Sequence, residues 1–494
     1  MNKSLILTLL TWTLCAQVTP APVLPPAPPP APEAHQEFFG AHLQRSMTLL
    51  ATSSKQRRWP VKVMLYGQSI VGSSVLTKMV DTFLRERFPD ADITLENRAI
   101  GGFGADRLVR TEEHDLYPYY PDLLIFHVYG GDKTGELERI ISNVRRYTTA
   151  DIVLFNHHQT RDGRADLDFG PKVFRYLAQK YDCELVDIST EWPRYLADNH
   201  FEPGRMLRDN VHPNPDGLAL LTTLIGRHLQ YNPLFSAPSG YDTVRWYEAK
   251  RAPDEGRPDE IVFAGEPWKI DAASGGVIGA ARSSRLQLKF VGNRVDIIAA
   301  HIAAAHTGDT GKLGTAKILV DGKPPSRNSR LYAVTLPSRG PQTWFPCIRR
   351  VRFEALPLAE DWTLRVTEMN PDATRFRFQV TGSKTGLDGT GNSWEKFVSR
   401  SGRVSIEPRD WMLADIMKIF KQTEPPPVGY EVKWSVTAMH VDEYQAPDTA
   451  DTAKVYVTTA AQGLENAAHT IEIIPNGDGA VPIEALQVYR PPMK

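Results

Sequence analysis

Cysteine is scarce in this chain: three residues in 494, at positions 15, 183 and 347, with no Cys-x-x-Cys pair. That scarcity excludes a disulfide framework and a cysteine-rich zinc module. An excess of charge of either sign is also missing, since 57 Lys and Arg stand against 58 Asp and Glu. Without a broad basic field there is no electrostatic footprint for nucleic acid, which is not expected as a partner. The apolar run near the start, "LILTLLTWTLCA", is too short to span a bilayer. Standing behind Lys3 and ending in small residues, it reads as a signal peptide over residues 1–16, which makes the expected location secreted or periplasmic, with no integral membrane span after cleavage.

What is present is globular. A hydrophobic content of 41% with 23% charged residues can build a core, and 494 residues exceed one core of ordinary size. "TPAPVLPPAPPPAP" at 19–32 can form neither helix nor sheet, so residues 17–36 are expected to be a proline-rich, extended linker, with folding beginning near Glu37. From 58 to about 230, short apolar runs ("VKVML", "DITLEN", "DLLIFHV", "DIVLF", "CELVDI") alternate with helical patterns. In "SVLTKMVDTFLRERF", Val75, Leu76, Met79, Val80, Phe83 and Leu84 share a face, with Ser73 as the cap and Pro89 as the stop. This alternation predicts an α/β fold, a parallel sheet covered on both faces, with any site outside the carboxyl ends of its strands.

Ser69, in "VMLYGQSIVGSS", stands at such an end. Gly-x-Ser alone is weak evidence, and Val71 rules out the Gly-x-Ser-x-Gly elbow. A serine nucleophile needs a base and a group to orient it, and "LRDNVHPNPDG" offers both in Asp209 and His212, just before Asn214 as helix cap and Pro215 at the first helical position.

Three separated segments, "YGQSIVGS", "ENRAIGGFGADRL" and "DNVHPNPDG", together resemble the SGNH hydrolases, also called the GDSL esterase/lipase family. The resemblance implies a flavodoxin-like three-layer α/β/α domain, placed here at 37–240, that hydrolyses esters. It implies Ser69 as nucleophile, Asp209 and His212 as the remaining catalytic residues, and the backbone of Ser69 and Gly102 as the oxyanion hole, with no metal or cofactor. Two departures bear on activity. Gln68 replaces the family's aspartate, and "YGGD" replaces the strand end Gly-x-Asn-Asp, so that Gly131 falls where an oxyanion-binding asparagine is usual. Asn156 and His158 in "LFNHHQT", and also His127, are the candidate replacement donors.

Beyond about 240 the period becomes two, in "LQLKFVGNRVDIIAA", "TAKILVDGKPP", "RFRFQV", "YEVKWSV" and "HTIEIIP". These runs predict a β-sandwich domain over 241–494, with a helical insertion near 408–428. They also resemble the β-sandwich modules of secreted carbohydrate esterases. Its tryptophans, Trp246, Trp268, Trp344, Trp362, Trp394, Trp411 and Trp434, are expected to be mostly core, as the alternation around Trp434 indicates. Two function classes follow. One is an exported serine esterase that removes acyl groups, acetyl foremost, from a polysaccharide. The other is a carbohydrate-binding or scaffold protein whose hydrolase-like domain has lost turnover.

Overall fold

The computed structural model describes residues 27–160, 169–235, 243–250, 261–271, 274–302 and 312–493. The expected signal peptide and Cys15 lie outside the described residues. Among those described, no helix is long and apolar enough to cross a membrane.

The first half alternates as its sequence predicts. It runs α1 (Gln44–Thr52), β1 (Pro60–Gly67), α2 (Ser74–Arg87), β2 (Asp92–Asn97), α3 (Ala105–Tyr119), β3 (Leu123–His127), α4 (Glu136–Tyr147), β4 (Asp151–Phe155), α5 (Arg175–Lys180), β5 (Glu184–Val186), α6 (Ile188–Asp198) and α7 (Pro215–His228). The strands form one parallel sheet in the order β2-β1-β3-β4-β5. Successive side chains of a strand point to opposite faces, so β1 feeds two cores. Val61, Val63 and Leu65 pack with α1, α2, α6 and α7, whereas Met64 and Tyr66 pack with α3, α4 and α5. The result is a three-layer α/β/α domain. The apolar face of α2 is narrower than its sequence suggests. Leu76, Val80 and Leu84 are buried on one i, i+4 row, and Val75, in the first turn, is exposed.

The described end of the proline-rich stretch is held rather than extended into solvent. The Tyr195 hydroxyl donates to the Pro28 carbonyl at 2.7 Å, and Arg227 donates to the carbonyls of Pro30 and Ala31 and to Glu33. A chain without backbone partners of its own can still dock where a guanidinium offers several donors.

The second half is antiparallel, but it comprises two β units with separate cores instead of one. A nine-stranded sheet is built around the long strands Arg285–Ala299 and Val457–Pro475. Its strand Thr315–Val320 pairs with Glu443–Gln445, so the second unit is inserted between two neighbouring strands of the first. That insert holds a five-stranded sheet, Tyr332–Val334, Glu431–Ala438, Glu360–Met369, Phe376–Gly382 and Gly386–Asn392 in spatial order. The helical segment expected near 408–428 is a 3₁₀ turn at Pro408–Asp410 and an α-helix at Leu413–Ile419. Phe345, Met412 and Ile416 of the insert join the core under α3. Cys183 and Cys347 are buried free thiols, and burial pushes them up to about 11 and about 12.

Candidate active site

β1 ends at Gly67 for a steric reason. With φ at +135°, a Cβ here would lie 1.8 Å from the His127 carbonyl oxygen, so only glycine lets β1 and β3 remain paired at this point. The chain then turns, and Gln68 ties the two strand ends together by accepting the Tyr129 N–H on Oε1 at 2.7 Å. An amide thus does the loop-holding that the substituted carboxylate would do. Asn97, at the end of β2, fixes the far side of the turn by donating to the Val71 carbonyl and to Thr77, both at 2.7 Å. The Ile100 N–H donates to the Gly67 carbonyl at 2.9 Å, which brings Gly101 alongside Ser69, with Gly102 next in the chain.

The loop before α7 supplies the base. The Asn214 carbonyl side-chain oxygen caps α7 by accepting the Gly217 N–H, its backbone N–H donates to Met206, and Pro215 opens the helix. On that anchored loop Asp209 Oδ1 accepts the N–H groups of Val211 and His212, both at 2.8 Å. The His212 Nδ1 faces Asp209 Oδ2 at 2.9 Å, and its Nε2 faces Ser69 Oγ at 2.9 Å. With Nδ1–H directed at the carboxylate, Nε2 is left to accept the serine proton. Partial desolvation works to raise the Asp209 carboxyl, but the His212 and Val211 hydrogen bonds outweigh it and hold it at about 2. It is therefore ionised throughout the neutral range. The structure brings Ser69, Asp209 and His212 into one hydrogen-bonded line, and the backbone N–H groups of Ser69 and Gly102 have no acceptor among the described residues.

The three side chains considered as replacement oxyanion donors are engaged elsewhere. Asn156 donates to Asp187 Oδ1 at 2.8 Å and to Ser189 Oγ at 3.0 Å, joining β4 to α6. Both ring nitrogens of His158 meet carbonyl oxygens, Nδ1 that of Gln159 and Nε2 that of Val211, each at 2.6 Å. His127 donates from Nδ1 to the Phe155 carbonyl, and burial pushes its pKa to about 3, so its Nε2 carries no proton to give. The role of His158 is instead to hold the loop that carries His212, a contact with no signal in sequence spacing.

A further residue at the mouth comes from the insert. Trp344 is about half exposed, unlike the buried Trp268, Trp362 and Trp434. Its indole N–H donates to the Gly101 carbonyl at 2.6 Å, next to the Ser69 side chain. The sequence leaves Trp344 among tryptophans expected to be mostly core, with no pattern that sets it apart. In the structure it is set apart by the neighbouring Phe345, which is 1% exposed and lies edge-on to Phe103 at 4.7 Å.

The three-layer α/β/α fold is the one that the sequence resemblance implies. No protein-family model matches the chain, and no curated protein matches it. Solved structures similar to it include a two-domain esterase active on acetylated mannans, at 15% identity over 93% of this chain and 99% of that one, with a TM-score of 0.35. An acetylxylan esterase from Geobacillus stearothermophilus is also similar, at 17% identity over 36% of this chain and 98% of that one, with a TM-score of 0.30.

Proposed function

We propose that this chain is an exported serine esterase that removes acyl groups, acetyl foremost, from a polysaccharide. The observation that carries the reading is the Asp209–His212–Ser69 line beside two unpaired backbone N–H groups. In this reading residues 1–16 are the signal peptide, 37–240 the hydrolase domain and 241–494 the accessory β-rich part. Ser69 Oγ bonds to the ester carbonyl carbon as its proton passes to Nε2 of His212 and the carbonyl π pair moves onto oxygen. Collapse returns that pair and breaks the bond to the alcohol oxygen, which takes the proton from His212. Water then repeats the sequence on the acyl-enzyme, releasing the acid and restoring Ser69. The amides of Ser69 and Gly102 stabilise the charge on oxygen.

The carbohydrate part of the reading is supported by Trp344, because a half-exposed indole beside the nucleophile offers a flat apolar face to a sugar ring. The deciding experiment is hydrolysis of p-nitrophenyl acetate by the purified protein, with Ser69→Ala as control. Activity should vanish in the variant while stability changes by less than about 0.5 kcal/mol, since no packing is removed. Undiminished rates in Ser69→Ala would overturn the assignment, and a serine-directed phosphonate should label Ser69.

A further inference from the structure

The position that a third oxyanion donor would occupy cannot carry one in this chain. Gly131 has φ at +78°, and a Cβ there would fall 2.7 Å from the Gly104 Cα, 2.7 Å from Asp106 Oδ1 and 2.8 Å from the Ala105 nitrogen. The start of α3 sits where an asparagine side chain would begin, so restoring that residue would displace the helix. Two backbone amides are left to hold a full negative charge, with Asn156, His158 and His127 committed elsewhere.

We propose that the Tyr129 hydroxyl is the third donor to the oxyanion, filling the role that Gly131 has no side chain to fill. The proposal rests on the esterase reading above. β1 and β3 pair with Gly67 opposite His127, so Ser69 and Tyr129 each come two residues after the last matched pair, on the loops that leave neighbouring strand ends. The Tyr129 backbone is pinned by Gln68, and its ring lies on the His157 ring, with centroids 4.4 Å apart and planes 16° apart. His157 in turn stacks on His127 at 5.8 Å and packs tilted, at 36°, against His158 at 4.4 Å, so the rings form one packed file. Burial pushes His157 to about 2 and His127 to about 3, so no positive charge builds up there.

The phenol packs on the His157 ring, and the nearby Ser69 side chain works to lower its pKa against the burial that raises it. Burial, the largest influence on it, raises its pKa above the ordinary 10, so at neutral pH it carries its proton and is a donor. As Ser69 Oγ bonds to the carbonyl carbon and the π pair moves onto oxygen, the Tyr129 O–H donates a hydrogen bond to that oxygen and keeps its proton. On collapse the bond relaxes, with no net transfer.

The test is Tyr129→Phe, which removes only the oxygen and keeps the ring stack. On p-nitrophenyl acetate, kcat should fall by about 10² to 10³ with KM little changed, the cost of one such donor. Affinity for a boronic acid, whose tetrahedral adduct with Ser69 places an oxygen at the same position, should weaken in parallel. Replacing Tyr129 with a difluorotyrosine, whose phenol is more acidic, should make activity fall off at a lower alkaline pH than in the natural protein. A Tyr129→Phe protein with undiminished kcat and boronate affinity, beside an inactive Ser69→Ala, overturns the proposal and leaves the esterase reading intact. A natural protein that neither hydrolyses the ester nor takes a phosphonate label overturns both.

Discussion

Ser69, Asp209 and His212 act as a unit only if His212 keeps one tautomer and one orientation, and several separate contacts enforce this. Asp209 accepts three N–H groups from Val211 and His212, and His158 meets the Val211 carbonyl from the other side. Replacing Asp209 or His212 should therefore each cost orders of magnitude in kcat, and the double variant should cost little more, because members of one catalytic unit are not additive. Losses that simply multiply would show that the two act separately. With Asp209 held at about 2, its carboxylate is lost only as pH falls through that value. His158 has a positioning role, so His158→Ala should lower kcat by about tenfold or more through misplacement of His212, while p-nitrophenyl acetate KM and phosphonate labelling of Ser69 persist. Trp344→Ala should do the reverse, raising KM for an acetylated polysaccharide and leaving p-nitrophenyl acetate turnover nearly unchanged. Equal effects on both substrates would remove Trp344 from the sugar site.

At the scale of elements, what could be read from sequence was what is local. Strands β1, β3 and β4 carry buried apolar runs, and the caps Ser73 and Asn214 precede their helices directly, so each announces itself within a few residues. The insertion does not, because the pairing of Thr315 with Gln445 is separated by a whole second unit that has the same period of two. Tyr129 was visible only as a mismatch, since its partners His157 and Gln68 come from other strand ends. Helix α3 was equally opaque, because its sequence does not reveal that Glu112 and Asp115 are buried. Burial, opposed by hydrogen bonds from Tyr117 and Asn143, raises Glu112 from 4.5 to about 8, and burial raises Asp115 from 3.8 to about 7. In the folded chain these groups hold protons that the unfolded chain gives up, so their contribution is intact below about pH 4 and is lost as pH rises to about 8. His114 on the same helix has the opposite sign. Burial lowers it to about 4, so its contribution is lost as pH falls below 6.5. Of these three groups only the carboxyls act between pH 6.5 and 8, in the same direction as His42 and His228, which their carboxylate partners raise above 6.5, so the melting temperature should decline with pH across that window. Glu112→Gln should flatten the decline, and an unchanged slope would show that Glu112 is ionised in the folded protein.

Over the whole molecule, the insert is coupled to the hydrolase sheet through one face of α3. The His114 Nδ1–H donates to the Val334 carbonyl at 2.8 Å, and its Nε2 accepts the Val351 N–H at 3.0 Å. Arg110 pairs at 2.5 Å with Asp410, whose side chain is 2% exposed. Phe345 closes the same contact, wedged between Phe103 at 4.7 Å and Phe420 at 5.0 Å. Because Trp344 precedes Phe345 directly and donates to Gly101, the packing that braces the two parts also sets the indole over the nucleophile. In the proposed esterase, bracing and substrate recognition are one structural feature, and a single substitution should reveal both. Phe345→Ala removes a fully buried ring and should destabilise the protein by about 3–5 kcal/mol, readable as a shift in the denaturant midpoint. In the protein that remains folded, KM for an acetylated polysaccharide should rise as it does in Trp344→Ala, with p-nitrophenyl acetate turnover much less affected. A variant with the expected loss of stability and an unchanged polysaccharide KM would mean that the indole is held by its Gly101 hydrogen bond alone, and that the insert braces the sheet without shaping the site.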